Sequence, residues 1–571
     1  MAFAYDAAMN PSSRLCRSRV SRVVLSTTLL LSLASVSRAA DGTWATTSTG
    51  LLWSTAGNWS GSVIADGSGF TANFNNVDIP ATPVTTVNLD STRTIGNLVF
   101  GDTNTATAGS WVLSNNGNAA NALTLAGTTP TITVDTLGTG ATATISAVIA
   151  GSSGLTKAGL GTLVLSGANT FSGTTNVNAG TLRLASDTAI GNADIASGAV
   201  LNVDSVSVVY SGNTSGAGRI TKTNSGSTLT LLGNGLHSGG TTLTDGRLIL
   251  GTGTNNGLGT GTFTLSRGAV QSLDNSTRTI TNALSMGSNE LSFGALQGAS
   301  TGLGDLNFAS TTGTTIGGSK IWTVTNSTTA TFANNWSGNT GWSITKAGTG
   351  TLVFSGNMNT SGALTVNAGA MTLNGLTNSY TGVTTVSGGI LLINGAKTGT
   401  GAVTITSGTF GGNGTIAGAA TAASGSFLSP GASSGVAGTL TFTSTLDISG
   451  LASGTGGLLF NLGSVGSSDK IALSSGALTI GTGALDWNDF SFTTLSGYGV
   501  GTYTLFSTTT SIVGTMGSNL TGTVGGLNGT LSISGNDIVL TVSAIPEPST
   551  YALIGGVLSL GLAATLRRKR L

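Results

Sequence analysis

Between residues 154 and 430 hydrophobic and polar residues alternate with a period of two, in short runs separated by Gly, Asn and Ser. In GLTKAGLGTLVLSGANTFSGTTNVNAGTLRL (154–184), Leu163 and Leu165 point one way and Thr162 and Val164 the other. Thr175 and Val177 are assigned to opposite faces of the next short strand. Such alternation predicts half-buried strands, and Gly and Asn between the runs supply turns with positive φ. No stretch of this body has the 3.6-residue period of a soluble amphipathic helix.

The runs repeat. SITKAGTGTLVFSGNMNTSGALTVNAGAMTL (343–373) is a second copy, and ITKTNSGSTLTLLGNGLHSGGTTLTDGRLIL (220–250) a degenerate one. Gly161 to Gly180 and Ser227 to Gly246 are each 19 residues, and Gly350, Gly369, Gly388 and Gly408 follow at 19, 19 and 20. That period suits one coil of a β-solenoid. One coil cannot bury its Leu/Val face alone, but stacked coils pair every strand and close a continuous core. Leu163, Leu165, Leu182, Leu352 and Val366 are the expected core. Asn176, Asn178 and Asn367 are candidates for side-chain ladders between coils.

Composition fits ordered β structure. Gly accounts for 90 of 571 residues and charged residues for 7%, yet hydrophobic residues reach 39%, the reverse of a disordered chain. A net charge of +1 gives no electrostatic footprint for nucleic acid. Cys16, the one cysteine, precedes the apolar run of the leader, so neither disulfide nor thiol chemistry is expected in the mature body.

The two ends read as targeting segments. Arg14, Arg17, Arg19 and Arg22 precede the 14-residue apolar stretch Val23 to Val36, and small residues follow, with Ala39 and Ala40 as cleavage positions. Residues 1–40 are therefore expected to be a signal peptide for signal peptidase. At the other end, residues 549–566 carry no charge and are followed by Arg567, Arg568, Lys569 and Arg570. As a helix they would span about 27 Å, close to a hydrocarbon core of about 30 Å. The basic cluster is the expected stop-transfer signal, kept cytoplasmic.

Pro546-Glu547-Pro548, the apolar segment and the basic terminus together resemble a PEP-CTERM sorting signal over 545–571. The resemblance implies recognition by an exosortase, cleavage near the motif, and delivery to the surface, often alongside exopolysaccharide. The repeats resemble the autotransporter-associated β-strand repeat, G-x-G-T-L-x-L-S-G-x-N-x-[FY]-x-G-x-T-x-V-x-x-G-x-L. Residues 159–182 match nearly throughout, 348–371 depart from it at Asn357 to Thr360, and 376–394 match its second half with Tyr380 in the aromatic place. This resemblance implies a right-handed parallel β-helix passenger. Residues after 545 read as a helix, not as the amphipathic strands of a membrane barrel. The sorting tail is therefore expected to replace self-translocation.

Chemistry is sparse. His237 is the single histidine, so no His cluster or triad can be assembled; it stands where the better copy has Phe171, and a turn role is expected. Asp486 and Asp489 in LDWND form the tightest acid pair and the only nominee for glycoside hydrolysis, though Asp at that spacing also makes ordinary turns. Asp469-Lys470 reads as a strand-edge ion pair. GTGTNNGLGTG (251–261) lacks the Lys-Ser/Thr of a phosphate loop. Trp44, Trp53 and Trp59 could stack on sugars, but packing in a cap is the stronger expectation.

The chain is thus expected to be an all-β, right-handed parallel β-helix with coils of about 19 residues and one C-terminal transmembrane helix. Its expected parts are a Trp-containing cap with early coils (41–153), the repeats (154–430), a C-terminal β region (431–544) and the sorting segment (545–571). No catalytic, cofactor-binding or metal site is expected. The expected function is structural or adhesive, in an exported protein held transiently in the inner membrane and then placed on the cell surface or in the matrix, with exopolysaccharide or surface glycans as partners. The alternative is a secreted solenoid enzyme that degrades polysaccharide.

Overall fold

The computed structural model describes residues 38–545, apart from 187–189, 205–206, 288–289, 297, 311, 313–314, 338–340, 434, 452–453 and 455, together with 556–560 and 562. Ala39 onward forms one compact unit. It is a parallel β-solenoid. Thr162–Leu165 lies beside Thr181–Leu184, which lies beside Val200–Val203, each in-register step advancing 19 residues. Through the second repeat block a coil carries three short strands, as in Ile344–Ala347, Thr351–Phe354 and Met358–Asn359. The longest stack holds 14 strands.

Alternation sets the interior. Leu163, Leu165, Leu182, Leu352 and Val366 are all fully buried, and the core is continuous from Trp44 to Val542. Thr175 and Val177 do not face opposite ways: both are buried and Asn176 between them is not, because residues two apart share a face of a strand.

The coil length holds in the repeats but not elsewhere. Toward the N-terminus Thr85 pairs with Trp111 and Trp111 with Ala143, steps of 26 and 32 residues. Toward the C-terminus Ala420 pairs with Leu446 and Leu446 with Leu478, again 26 and 32. Extra loop residues bulge outward at these places while the strands keep their stacking.

The repeat motif also migrates around the solenoid. Its second strand joins the 12-stranded sheet as Thr162–Leu165, the 14-stranded sheet as Thr228–Leu231 and a 10-stranded sheet as Thr351–Phe354. Intervening coils of other lengths shift the motif by one face each time.

Both ends are closed. Trp44, Trp53, Trp59, Phe74, Phe100 and Trp111 pack ring against ring in the first coils, with centroids 5.0–6.3 Å apart. At the far end parallel pairing gives way to an antiparallel meander in which Asp537–Ser543 runs between Gly501–Thr508 and Leu527–Ser534. This turns the last coils away from open-edge pairing. Among the described residues no helix is long and apolar enough to cross a membrane. Gly556–Leu560 and Leu562 are helical; Pro546, Glu547, Pro548, Arg567, Arg568, Lys569 and Arg570 lie outside the described residues, as do 1–37. Ala39 and Ala40 are described, and Ala40 exchanges backbone hydrogen bonds with Asp66 at 2.9 and 3.1 Å.

Candidate functional site

The buried polar groups come first, because they are where chemistry would start. Five lysines, Lys157, Lys222, Lys320, Lys346 and Lys397, are buried. Lys157 sits two residues after the inward Leu155 and so points inward. Its Nζ donates to the carbonyls of Ala158, Gly159 and Ala179 at 2.8, 2.7 and 3.1 Å. Lys346 in the second copy repeats this set on Ala347, Gly348 and Ala368 at 2.8, 2.8 and 3.1 Å. Lys222 donates to Asn224 O at 2.5 Å, Lys320 to Gly317 O at 2.8 Å, and Lys397 to Gly399 O and Gly401 O at 2.6 and 2.8 Å.

At each corner the chain turns carbonyls inward, away from water and strand partners, and an ammonium satisfies them. Glycine in the next coil makes room. Gly369 has φ +65°, and a Cβ there would come within 2.4 Å of Gly348 O and 2.8 Å of Lys346 Nζ. Burial pushes Lys157, Lys320, Lys346 and Lys397 down to about 8, partly offset at Lys157 by Asp135. These amines hold corners together, and none reaches solvent.

His237 is likewise interior. Its Nδ1 lies 2.7 Å from Thr214 Oγ1 and its Nε2 3.2 Å from Thr241 Oγ1, and burial holds the ring down to about 4. It is the middle member of a series. Phe171, His237 and Tyr380 each stand four residues before a buried threonine. Tyr380 Oη lies 2.9 Å from Thr384 Oγ1, while Thr175 Oγ1, opposite Phe171, is buried without a hydrogen-bond partner.

The nominated acids are occupied too. Asp486 and Asp489 cap the short 3-10 turn Trp487–Asp489. Asp486 accepts from Asn488 N at 2.9 Å, and Asp489 accepts from Asp486 N at 2.8 Å and Gly454 N at 2.7 Å. Asp469 makes no strand-edge ion pair with Lys470. It is buried, accepting from Gly438 N, Asn461 N and Asn461 Nδ2 at 2.7, 2.7 and 2.8 Å, and burial pushes it up to about 6. Lys470 lines a surface depression instead. Trp44, Trp53 and Trp59 are buried in the cap and offer no platform for sugars. Among the described residues no group of three or more His, Cys, Asp or Glu could hold a metal.

Asparagine ladders run along the outside, mostly at positions other than those nominated. Asn192 Oδ1 accepts from Asn213 N, Asn213 Oδ1 from Asn234 N, and Asn234 Oδ1 from Thr254 N, at 2.9, 2.8 and 2.8 Å. Of the nominees, Asn367 takes part, accepting from Ser387 Oγ at 2.7 Å.

Sequence reasoning missed an outer trough. Two adjoining depressions of about 400 and 420 Å³ share Arg267 and Glu290. Asp245 and Arg247 line one, and Ser319 and Ser343 the other. Arg247 donates to Gln271 Oε1 at 2.5 Å, and Arg267 lies 3.8 Å from Asp245 with 59% of its side chain exposed. A separate depression of about 430 Å³ lies at the corresponding corner of the first repeat, where Arg183 is closed into an ion pair with Asp204.

Fold and surface define a parallel β-solenoid of passenger type. The passenger-associated-transport-repeat family model matches residues 155–184, 344–371 and 368–393. The chain is 45% identical over 121 residues to the adhesin BmaC autotransporter of Brucella suis biovar 1 (strain 1330), a match covering 20% of this chain and 3% of that protein's length. Among solved structures, the Haemophilus influenzae Hap adhesin aligns over 84% of this chain and 64% of its own at 13% identity, with a TM-score of 0.28.

Proposed function

We propose that this is an exported, non-enzymatic structural or adhesive protein of the bacterial surface or extracellular matrix. The observation that carries the reading is how the polar groups are distributed. Each interior group named above but Thr175 is engaged in holding coils together, and the outside is a long Ser/Thr/Asn face stitched by ladders. Such a body is rigid and repetitive and suits attachment better than turnover. The repeats shared with an autotransporter adhesin support the same class. The enzymatic alternative loses its nominees, since Asp486 and Asp489 are committed to backbone donors.

In this reading, signal peptidase removes the leader at Ala39 or Ala40. The 549–566 helix and Arg567–Arg570 hold the chain in the inner membrane. An exosortase reads Pro546-Glu547-Pro548, which the two prolines keep extended. The solenoid winds right-handed, as parallel crossovers do. Glu547→Ala changes neither apolar length nor terminal charge, so insertion persists while processing stops. Immunoblots of membrane and released fractions should show the variant as a full-length membrane form and the wild type as a shorter released one. A wild type that stays full length in cells possessing an exosortase removes the sorting step.

A further inference from the structure

We propose that the trough carrying Asp245, Arg247, Arg267 and Glu290 is a binding subsite for a neutral, hydroxyl-rich glycan chain; the proposal rests on the adhesive reading and gives it a place. Charged residues make up only 7% of this protein, yet four gather here, along with Glu290, one of two glutamates in the chain. The strands beneath, from Thr228–Leu231 through Arg247–Leu250, Gly268–Ser272, Leu291–Phe293 and Lys320–Val324 to Ile344–Ala347, are consecutive in the 14-stranded sheet. Five steps of about 4.8 Å make the trough roughly 24 Å long, room for several sugars in a row.

Its chemistry selects the ligand. Two guanidiniums donate and two carboxylates accept, and their formal charges cancel. Lys320 lines the trough, but its ammonium is turned in to Gly317 O at 2.8 Å and adds no charge outside. A polyanion would meet Asp245 and Glu290, and a polycation Arg247 and Arg267. Vicinal hydroxyls, which donate and accept at once, meet partners of both kinds. Arg267 is free to engage, since 3.8 Å from Asp245 is beyond hydrogen-bond length. The corresponding corner of the first repeat is an internal control, because Arg183 is there consumed by Asp204.

The test uses the full-length chain purified in detergent, titrated calorimetrically with cellohexaose, maltohexaose and laminarihexaose, and with hexagalacturonate as the charged counter-probe. At least one neutral hexaose should bind saturably at about millimolar affinity. Arg267→Ala with Glu290→Ala should weaken it by roughly tenfold, and Arg183→Ala should leave it unchanged. Both trough side chains are exposed, so the far-UV β signal should be the same in all variants. No binding by any neutral hexaose, tighter binding of hexagalacturonate, or equal binding by the trough variant overturns the proposal. Attachment of the same protein to whole cells is scored in parallel. Attachment without hexaose binding removes the trough alone, whereas loss of both removes the adhesive reading.

Discussion

The N-terminal cap and the repeat coils meet the same physical problem with different side chains. Each must satisfy carbonyls that a tight corner turns inward. In the cap the donors are indoles. Trp53 Nε1 donates to Ala65 O at 2.9 Å, Trp59 Nε1 to Trp53 O at 2.7 Å and Trp111 Nε1 to Gly101 O at 2.9 Å. In the repeats the donors are ammoniums, set identically on three carbonyls at Lys157 and Lys346. An indole brings its own apolar volume and fills the wide first coils while it donates. A lysine reaches along a narrow 19-residue coil and places a charge at the corner, at the cost of desolvating it. The cap is therefore insensitive to pH, and the repeats are not.

The largest effect should come from the cap. Trp53→Ala empties a fully buried site and strips the donor from Ala65 O, costing about 3–5 kcal/mol. Urea unfolding should show it, with loss beginning in the first coils by hydrogen exchange. A cost below about 1 kcal/mol would mean the cap does not close the solenoid.

The second effect belongs to the repeats. A lysine whose folded value of about 8 lies below its unfolded 10.5 binds fewer protons when folded. Its burial cost is full below about pH 8 and fades as pH rises toward 10.5. Stability should therefore climb between pH 7.5 and 9.5, by on the order of 1 kcal/mol or more per lysine. Lys157→Met with Lys346→Met should flatten that climb. Above pH 10 the trend should reverse, because burial raises Tyr210 and Tyr380 above the ordinary phenol value of 10.0. Urea midpoints at pH 7.5 and 9.5 that coincide in wild type would show that the corner amines are not desolvated.

The smallest effect separates two otherwise equivalent threonines. Thr175→Val removes a buried hydroxyl that has no hydrogen-bond partner and should stabilise by about 1 kcal/mol. Thr384→Val takes the partner from Tyr380 Oη and should destabilise by about 1–2 kcal/mol. Equal effects on Tm would break the reading of Phe171, His237 and Tyr380 as one interior series.

Much of this fold was legible. A period of two inside a period of 19 named the strands, the stacking and five core residues. The buried lysines were legible in principle: Lys157, Lys222 and Lys346 stand two residues after Leu155, Ile220 and Ile344, on the inward register. Asp469, two residues before Ile471, carries the same signal. The general rule that Lys and Asp face water hid them, because a rule about transfer from water ignores carbonyls that a corner leaves without donors. The trough was not legible. Asp245, Arg267 and Glu290 are 22 and 23 residues apart, off the repeat period, and only coils of unequal length bring them to one corner.

The most direct test of the central claim is intact-mass measurement of the protein recovered from separated cytoplasmic, membrane and surface or medium fractions of the cells that make it. The account predicts a surface or medium species beginning at Ala40 or Asp41 and ending near Pro546-Glu547-Pro548, with a minor full-length tail form in the membrane. A species that retains residues 1–38 and is confined to the cytoplasm would contradict it.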